Sequence, residues 1–208
     1  VAHEGTHGIA FTGSVPAAQA VAKSAAVRFK PALIEASGND PFIVMPSAPL
    51  DAVARGAAFA AFLNCGQVCT SAERFYVHEE IYDKFVAALS EQARALRVGN
   101  GLEKVDIGPM ASARERDRVE KIVARAVEQG AKVVTGGKRP QHLTDGAFFE
   151  PTVLEVKPEF DIMHGECFGP LAPVCKVRDL DEAIALANDS KLGLGANIYT
   201  ENLAEAFR

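Results

Sequence analysis

The chain has 208 residues, of which 48% are hydrophobic, so it is long enough to bury an apolar core. Asp and Glu outnumber Lys and Arg by 27 to 22, which leaves no net basic surface for nucleic acid or anionic lipid. No apolar stretch approaches the roughly 20 residues that span a bilayer. We therefore expect a globular protein that binds neither nucleic acid nor membranes.

The first three elements along the chain predict a parallel β-α-β unit. Residues 8–11 form a short apolar strand, and residues 16–29 carry small and apolar side chains three and four positions apart, as in a helix. Residues 32–34 form a second short strand that ends at Glu35. Ligands of such units lie beyond the carboxyl ends of the strands, and the N–H groups at the helix start, after Ser14, suit a phosphate. The unit therefore predicts a ligand near Ser14 and Glu35.

A run of turn-forming residues at 37–41 follows this unit, and we take it as a domain boundary after residue 38. The next segments predict a buried strand at 42–45 and a helix at 50–63. Helices and strands then alternate to the end of the chain, with strands at 75–77, 132–134, 152–154 and 172–177 and helices at 82–97, 112–129 and 181–188. This alternation predicts an α/β fold, and the charges of 112–129 fit a solvated helix face.

The loop after the 50–63 helix carries two of the four cysteines, Cys65 and Cys69. Gly66 can take the left-handed turn that ends a helix, with Asn64 as the last helical residue or its cap, and this turn would aim Cys69. Cysteine is among the most buried residue types, so composition alone favours packing for both. A nucleophilic role requires a neighbouring cation, base or N–H group that helps to ionise the thiol. The residues of the loop leave both roles open.

The cysteine pattern also bears on metals and on the cellular compartment. Two cysteines four positions apart, with no His or Cys cluster nearby, do not supply the four ligands of a structural zinc site, so we expect no metal. Four cysteines without a paired framework fit a reducing compartment better than a disulfide scaffold. The first residues lack a basic segment followed by an apolar one. We therefore expect a cytoplasmic protein.

Four short stretches decide between these interpretations. They are Gly66-Gln67-Val68-Cys69, Ile34-Glu35-Ala36-Ser37-Gly38-Asn39, Phe11-Thr12-Gly13-Ser14 and Glu166-Cys167-Phe168-Gly169-Pro170. Taken in that order, they resemble the Gly-Gln-x-Cys signature, the glutamate signature, the cofactor turn and the Glu-x-Phe-Gly-Pro motif of the aldehyde dehydrogenase superfamily. Their order and spacing along the chain also agree with that family. Within it, the segments that look most like the lactaldehyde dehydrogenase branch are 71–77, 187–194 and 198–200.

The resemblance implies the end of a Rossmann-like cofactor domain at residues 1–38 and most of an α/β catalytic domain at residues 39–208. It implies that Cys69 is the nucleophile that adds to an aldehyde carbon. After hydride transfer to the cofactor, Glu35 would be the general base that directs water against the resulting thioester. The apolar residues before Glu35 and the small residues after it predict a half-buried carboxyl.

The resemblance also implies a cofactor, which is NAD with NADP as the alternative. The implied cofactor-binding residues are Gly13, Ser14, Ala36, Glu166 and Phe168. Gly13 and Ser14 would meet the pyrophosphate at the helix start. Glu166 would bind the ribose hydroxyls next to the nicotinamide, and Phe168 would pack beside the nicotinamide ring.

The implied partners are a small aldehyde substrate and further copies of the chain in a dimer or tetramer. The oxyanion would be bound by the backbone N–H of Cys69 and by an asparagine upstream of this chain, so we expect a fragment that is inactive alone. Two alternatives remain. A CoA-acylating semialdehyde dehydrogenase would pass the thioester to a thiol and would not need Glu35 as a base. A non-catalytic structural or binding relative would need neither Cys69 nor Glu35.

Overall fold

The computed structural model describes residues 1–208 and divides into two compact units, Val1–Gly38 and Asn39–Arg208. The first unit contains strand β1 (Ile9–Gly13), helix α1 (Val15–Ala26) and strand β2 (Ala32–Ala36). The strands pair in parallel, from Ile9 opposite Ala32 to Gly13 opposite Ala36. The predicted β-α-β unit is confirmed, although α1 ends three residues earlier than its periodicity indicates.

The second unit contains strands β3 (Asp40–Val44), β4 (Ala72–His78), β5 (Lys132–Thr135), β6 (Thr152–Val156), β7 (Leu171–Val177) and β8 (Asn197–Tyr199). They form one sheet in the order β5-β6-β7-β4-β3-β8, parallel except for the antiparallel pair of β5 with β6. The helices are α2 (Leu50–Phe62), α3 (Tyr82–Ala95), α4 (Ala113–Glu128), α5 (Leu180–Asn188) and α6 (Leu203–Ala206). The predicted α/β class is confirmed.

The central strands of this sheet are buried on both faces, which is why their sequences read as nearly continuous apolar runs. Every residue of β3 is buried, as are all but one of β4 and all but one of β7. The ring of Phe42 on β3 lies 5.0 Å from that of Phe75 on β4 and 4.7 Å from that of Tyr199 on β8, between centroids. The strand that follows the cysteine loop, β4, therefore lies in the middle of the core.

Strand β4 begins at Ala72 rather than at residue 75, so Glu73 and Arg74 lie in a strand and are buried. Buried charged groups need partners, because it is costly to transfer a charge from water to the protein interior without a hydrogen bond or an ion pair. The Arg74 guanidinium donates to the Tyr76 hydroxyl and to the backbone oxygens of Asn39, Leu186 and Ala187. Leu186 and Ala187 lie in the last turn of α5, where a cation also offsets the helix dipole.

Strand β8 is not predicted by the sequence pattern, because three residues are too few for a period to show. Helix α3 ends at Ala95 rather than at residue 97. None of the helices combines the length and the apolar composition needed to cross a membrane. No group of three or more His, Cys, Asp or Glu side chains is placed to hold a metal ion.

Candidate active site

The cysteine loop begins with three successive residues in the left-handed region. Their φ angles are 52° at Asn64, 59° at Cys65 and 66° at Gly66. The prediction that Gly66 is left-handed is confirmed, but the prediction that Asn64 is the last helical residue or its cap is wrong, since α2 ends at Phe62 and its cap is Leu63. The Asn64 amide instead donates to the backbone oxygen of Gln67 at 3.2 Å, which closes the turn. The buried Cys65 thiol donates to the Gly108 oxygen at 2.9 Å, a contact that helps to hold its unfavourable backbone.

Gly66 is required at its position for a second reason, which is close packing. A Cβ at residue 66 would overlap the carbonyl oxygen of Gly169 and would lie 2.8 Å from that of Ala61. Gly169 belongs to the Glu-x-Phe-Gly-Pro stretch, so the structure brings two of the four predicted motifs into contact. Gly66 is therefore packed, backbone to backbone, against the loop that carries Glu166 and Phe168.

Gln67 and Val68 hold the rest of the turn. The Gln67 side-chain oxygen accepts from the backbone N–H of Ala111 at 2.8 Å, and the Val68 oxygen accepts from the N–H of Ser71 at 2.9 Å. Cys69 lies between these two anchored points and is half-buried. Its side chain is thus both held and reachable, as a nucleophile must be.

The other three cysteines are buried, and burial raises the pKa of each thiol. The pKa of Cys65 is raised to about 11 by loss of solvation. That of Cys175 is raised to about 12 by burial and by the nearby carboxylates of Glu182 and Glu159. The pKa of Cys167 is also raised well above its ordinary value, mainly by burial and to a smaller extent by Glu73. None of these three is a good nucleophile at neutral pH.

The loop with Glu166 and Phe168 is held by two residues that sequence analysis missed. Glu73 accepts from the N–H groups of Cys167 at 2.8 Å and Phe168 at 2.7 Å. On the carbonyl side, Arg118 donates to the oxygens of Cys167 at 2.6 Å and Phe168 at 3.4 Å. The sequence signal for Glu73 is that Glu73-Arg74 directly precedes the apolar run Phe75-Tyr76-Val77. A charged pair that belongs to a central strand is buried with the strand. Arg118 gave no signal, since α4 is charged along most of its length.

In the first unit, the predicted cofactor residues meet at the carboxyl edge of the two strands. Gly13 pairs with Ala36, and Thr12 pairs with Glu35. Ser14 is the N-cap of α1, but its hydroxyl makes no capping hydrogen bond, and the first turn contains no acidic residue. An anion therefore meets no repulsion from the side chains of that turn. The predicted half-buried carboxyl of Glu35 is wrong for this chain, in which Glu35 is exposed and β1 and β2 form only a two-stranded sheet.

The ionisation of Glu73 should make stability depend on pH. Burial raises its pKa from the ordinary 4.5 to about 8, although the N–H groups of Phe168 and Cys167 and the charge of Arg118 oppose this, while Glu166 adds to it. The folded state therefore retains a proton that the unfolded state loses. Relative to Glu73→Gln, the wild type should lose up to about 1.4 kcal/mol of stability per pH unit as pH rises from 4.5 towards 8. Paired denaturant titrations at several pH values measure this difference, and a constant difference would contradict it.

The fold and this geometry define an α/β protein with a half-buried cysteine in a glycine turn that is packed on a second glycine-containing loop. The family model "Aldehyde dehydrogenase family" matches residues 1–208. The chain belongs to the aldehyde dehydrogenase family, as the sequence resemblance predicts.

Three relatives illustrate the similarity. The chain is 41% identical to 3,6-anhydro-alpha-L-galactose dehydrogenase of Vibrio sp. (strain EJY3), over 99% of the chain and 44% of the relative. It is 42% identical to lactaldehyde dehydrogenase of Escherichia coli (strain K12), over 96% of the chain and 42% of the relative. The solved structure of PnpE in complex with nicotinamide adenine dinucleotide superposes with a TM-score of 0.96 at 36% identity, over 99% of this chain and 43% of that one. The chain thus spans less than half the length of these relatives.

Proposed function

We propose that the protein containing this chain oxidises a small aldehyde to a carboxylic acid with NAD(P)+, with Cys69 as nucleophile and Glu35 as general base. The observation that carries the proposal is the packing of Gly66 against Gly169, which joins the turn of Cys69 to the loop of Glu166 and Phe168. A thiol and a cofactor loop that share one packed contact suit a reaction in which a thiol adduct gives up hydride.

The residues present fit a dinucleotide cofactor, which when bound accepts hydride. Gly13 ends β1 and Ser14 is the N-cap of α1, so both lie beside the helix start, whose first turn has no acidic side chain and suits a phosphate. Ala36 pairs with Gly13 in the sheet, and its side chain is a single methyl group. In the second unit, Glu166 can accept hydrogen bonds from ribose hydroxyls, and the half-buried ring of Phe168 offers an apolar contact.

The proposed mechanism uses Cys69 in both half-reactions. Its thiolate attacks the aldehyde carbon, and the backbone N–H of Cys69 donates to the oxyanion of the thiohemiacetal. Loss of hydride leaves a thioester on Cys69. Glu35 then removes a proton from water as the water attacks the thioester carbon, which releases the acid and restores the thiolate. A transfer of the acyl group to coenzyme A would leave Glu35 without a role.

We further propose that Val1–Gly38 is the end of the cofactor domain and Asn39–Arg208 is catalytic. The division of the structure into these two units supports this assignment. The choice between NAD and NADP, the dimeric or tetrameric state and the cytoplasmic location stay predictions. A small aldehyde substrate is supported by the lactaldehyde dehydrogenase relative.

Selective alkylation tests the assignment of Cys69. In the intact protein that contains this chain, iodoacetamide at less than one equivalent should label Cys69 first among the cysteines of this chain, because burial raises the pKa of Cys65 and Cys175 to about 11 and about 12. Peptide mapping by mass spectrometry locates the label, and aldehyde-dependent NADH formation should fall in proportion to it. Labelling of Cys65 ahead of Cys69, or full activity after Cys69 is labelled, would contradict the proposal.

A further inference from the structure

One short loop of the second unit is gripped from opposite sides by a carboxyl and a guanidinium. Both Glu73 oxygens accept from successive N–H groups, at 2.8 Å from Cys167 and 2.7 Å from Phe168. A single nitrogen of Arg118 faces the carbonyl oxygens of the same two residues, at 2.6 Å and 3.4 Å. We call Glu73 and Arg118 the loop clamp. The N–H of Phe168 and the oxygen of Cys167 belong to the peptide between these two residues, and the other two groups belong to the peptides on either side. Together the four contacts restrict the backbone torsions of Cys167 and Phe168.

The conformation fixed in this way is unfavourable by itself. Phe168 has a φ of 44°, in the left-handed region that a bulky side chain rarely adopts. Such a backbone persists only where its surroundings determine it, and it is concentrated at functional sites. The residues on either side leave little freedom, because Cys167 and Gly169 are both buried. The loop clamp supplies the directional bonds that select this conformation for Phe168.

A packing role alone does not account for Glu73. Its side chain is 3% exposed and lies between buried Ala72 and Arg74 on β4. An apolar residue in such a place would avoid the cost of removing a carboxyl from water. That cost is met here by hydrogen bonds to one particular loop, at a separation of 94 residues along the chain. The desolvation cost of Glu73 is therefore offset by contacts that fix the conformation of that loop.

Arg118 adds an independent argument, because it comes from a different element. It lies on α4, is half-buried and also pairs with Glu115 at 2.8 Å. A surface arginine of a charged helix has many solvated conformations open to it. Its guanidinium instead turns towards the carbonyl oxygens of the loop whose N–H groups Glu73 binds. Two elements thus converge on the same two residues, Cys167 and Phe168.

We propose that Glu73 and Arg118 are positioning residues for the cofactor, holding Cys167 and Phe168 so that Glu166 and Phe168 face the nicotinamide end of the dinucleotide. The binding of a cofactor in this inference rests on the proposed function, whereas the clamp rests on the contacts of Glu73 and Arg118 in the structure. Glu73 follows Cys69 by only four residues, so the clamp also ties the cofactor loop to the segment of the nucleophile. A loose loop would leave the thiol intact but would misplace the hydride acceptor.

The test compares Glu73→Gln and Arg118→Gln with matched surface controls, Glu91→Gln on α3 and Arg114→Gln on α4, both at exposed positions. All are made in the intact protein that contains this chain. Three quantities are measured: amide hydrogen exchange of residues 164–170, the Kd for NADH by fluorescence titration, and the rate of Cys69 alkylation without cofactor. Glu73→Gln places an amide N–H₂ against a backbone N–H, whereas Arg118→Gln only removes donors. If Glu73→Gln fails to fold, Arg118→Gln carries the test.

We expect each clamp variant to exchange about tenfold faster in the loop and to bind NADH about tenfold more weakly, the effect of losing about 1.4 kcal/mol of hydrogen bonding. The alkylation rate of Cys69 and all values of the controls should not change. Unchanged exchange in both variants would refute the clamp, and faster exchange with unchanged Kd would refute its positioning role. A wild type that binds neither NADH nor NADPH would instead refute the proposed function, whatever the exchange rates show.

Discussion

Glu35→Gln in the intact protein should leave a burst of NADH and remove most of the steady turnover. The change keeps the size of the side chain but removes the base that activates water. Cys69 can still attack the aldehyde, and the carbon of the resulting thiohemiacetal can still give up hydride, so the thioester should accumulate on the enzyme. Steady turnover should fall by about two to four orders of magnitude, the usual contribution of a general base.

Rapid mixing with aldehyde and cofactor measures the burst, which should approach one NADH per site. Cys69→Ala is the control, and it should abolish burst and turnover together because no covalent adduct can form. Mass spectrometry of the quenched Glu35→Gln enzyme should detect the acyl group on Cys69. An equal loss of burst and turnover in Glu35→Gln would show that Glu35 acts before hydride transfer, as the base that deprotonates the thiol.

Gly66→Ala should damage both stability and activity, because residue 66 meets two separate restrictions. Its φ of 66° is unfavourable for any residue with a Cβ, and that Cβ would overlap the backbone oxygen of Gly169. Backbone atoms cannot rotate away as a flexible side chain can. We expect a loss of about 2–5 kcal/mol in the free energy of unfolding, from strain and overpacking together. The Cys69 turn and the cofactor loop would be forced apart.

Gly101→Ala is the matched control, since a Cβ there meets no atom within 4 Å and the φ of Gly101 is not left-handed. Denaturant unfolding measures the stability of both variants. The rate of Cys69 alkylation reports on the turn of Gly66, and the Kd for NADH reports on the loop of Gly169. Gly101→Ala should behave as wild type in all three. A Gly66→Ala protein of normal stability, normal Cys69 alkylation and normal NADH affinity would show that the packing of Gly66 on Gly169 is not needed.

Most elements of the fold could be predicted from periodicity, because a buried helix face or strand leaves a repeating apolar pattern. The left-handed backbone of Asn64 and Cys65 could not. Apart from Asn and Asp, non-glycine residues rarely adopt that region unless contacts elsewhere in the fold hold them, and the partner of the Cys65 thiol is the Gly108 oxygen, 43 positions away. The sequence around Cys65 contains no trace of that contact. Local rules therefore predicted the glycine of the turn and missed its two neighbours.

The site residues divide in the same way. Cys69, Glu35 and Glu166 lie in short motifs that can be read locally. Glu73 and Arg118 act through partners 49 to 95 positions away, so their charges resemble those of an ordinary loop and a solvated helix. The expected burial of Glu35 was wrong for a related reason. Apolar neighbours along one strand do not bury a side chain unless other elements cover it.

The order of strands in the second unit has a consequence for how the chain acquires its structure. Strand β4 lies between β3 and β7, and residue 75 on β4 pairs with residue 174 on β7. Contacts so distant in sequence require closure of a long loop, which slows folding. During synthesis from the N-terminus, the segment of Cys69 leaves the ribosome well before the strand and the glycine against which it packs. The reactive turn is therefore assembled late, when the rest of the sheet is ready to receive it.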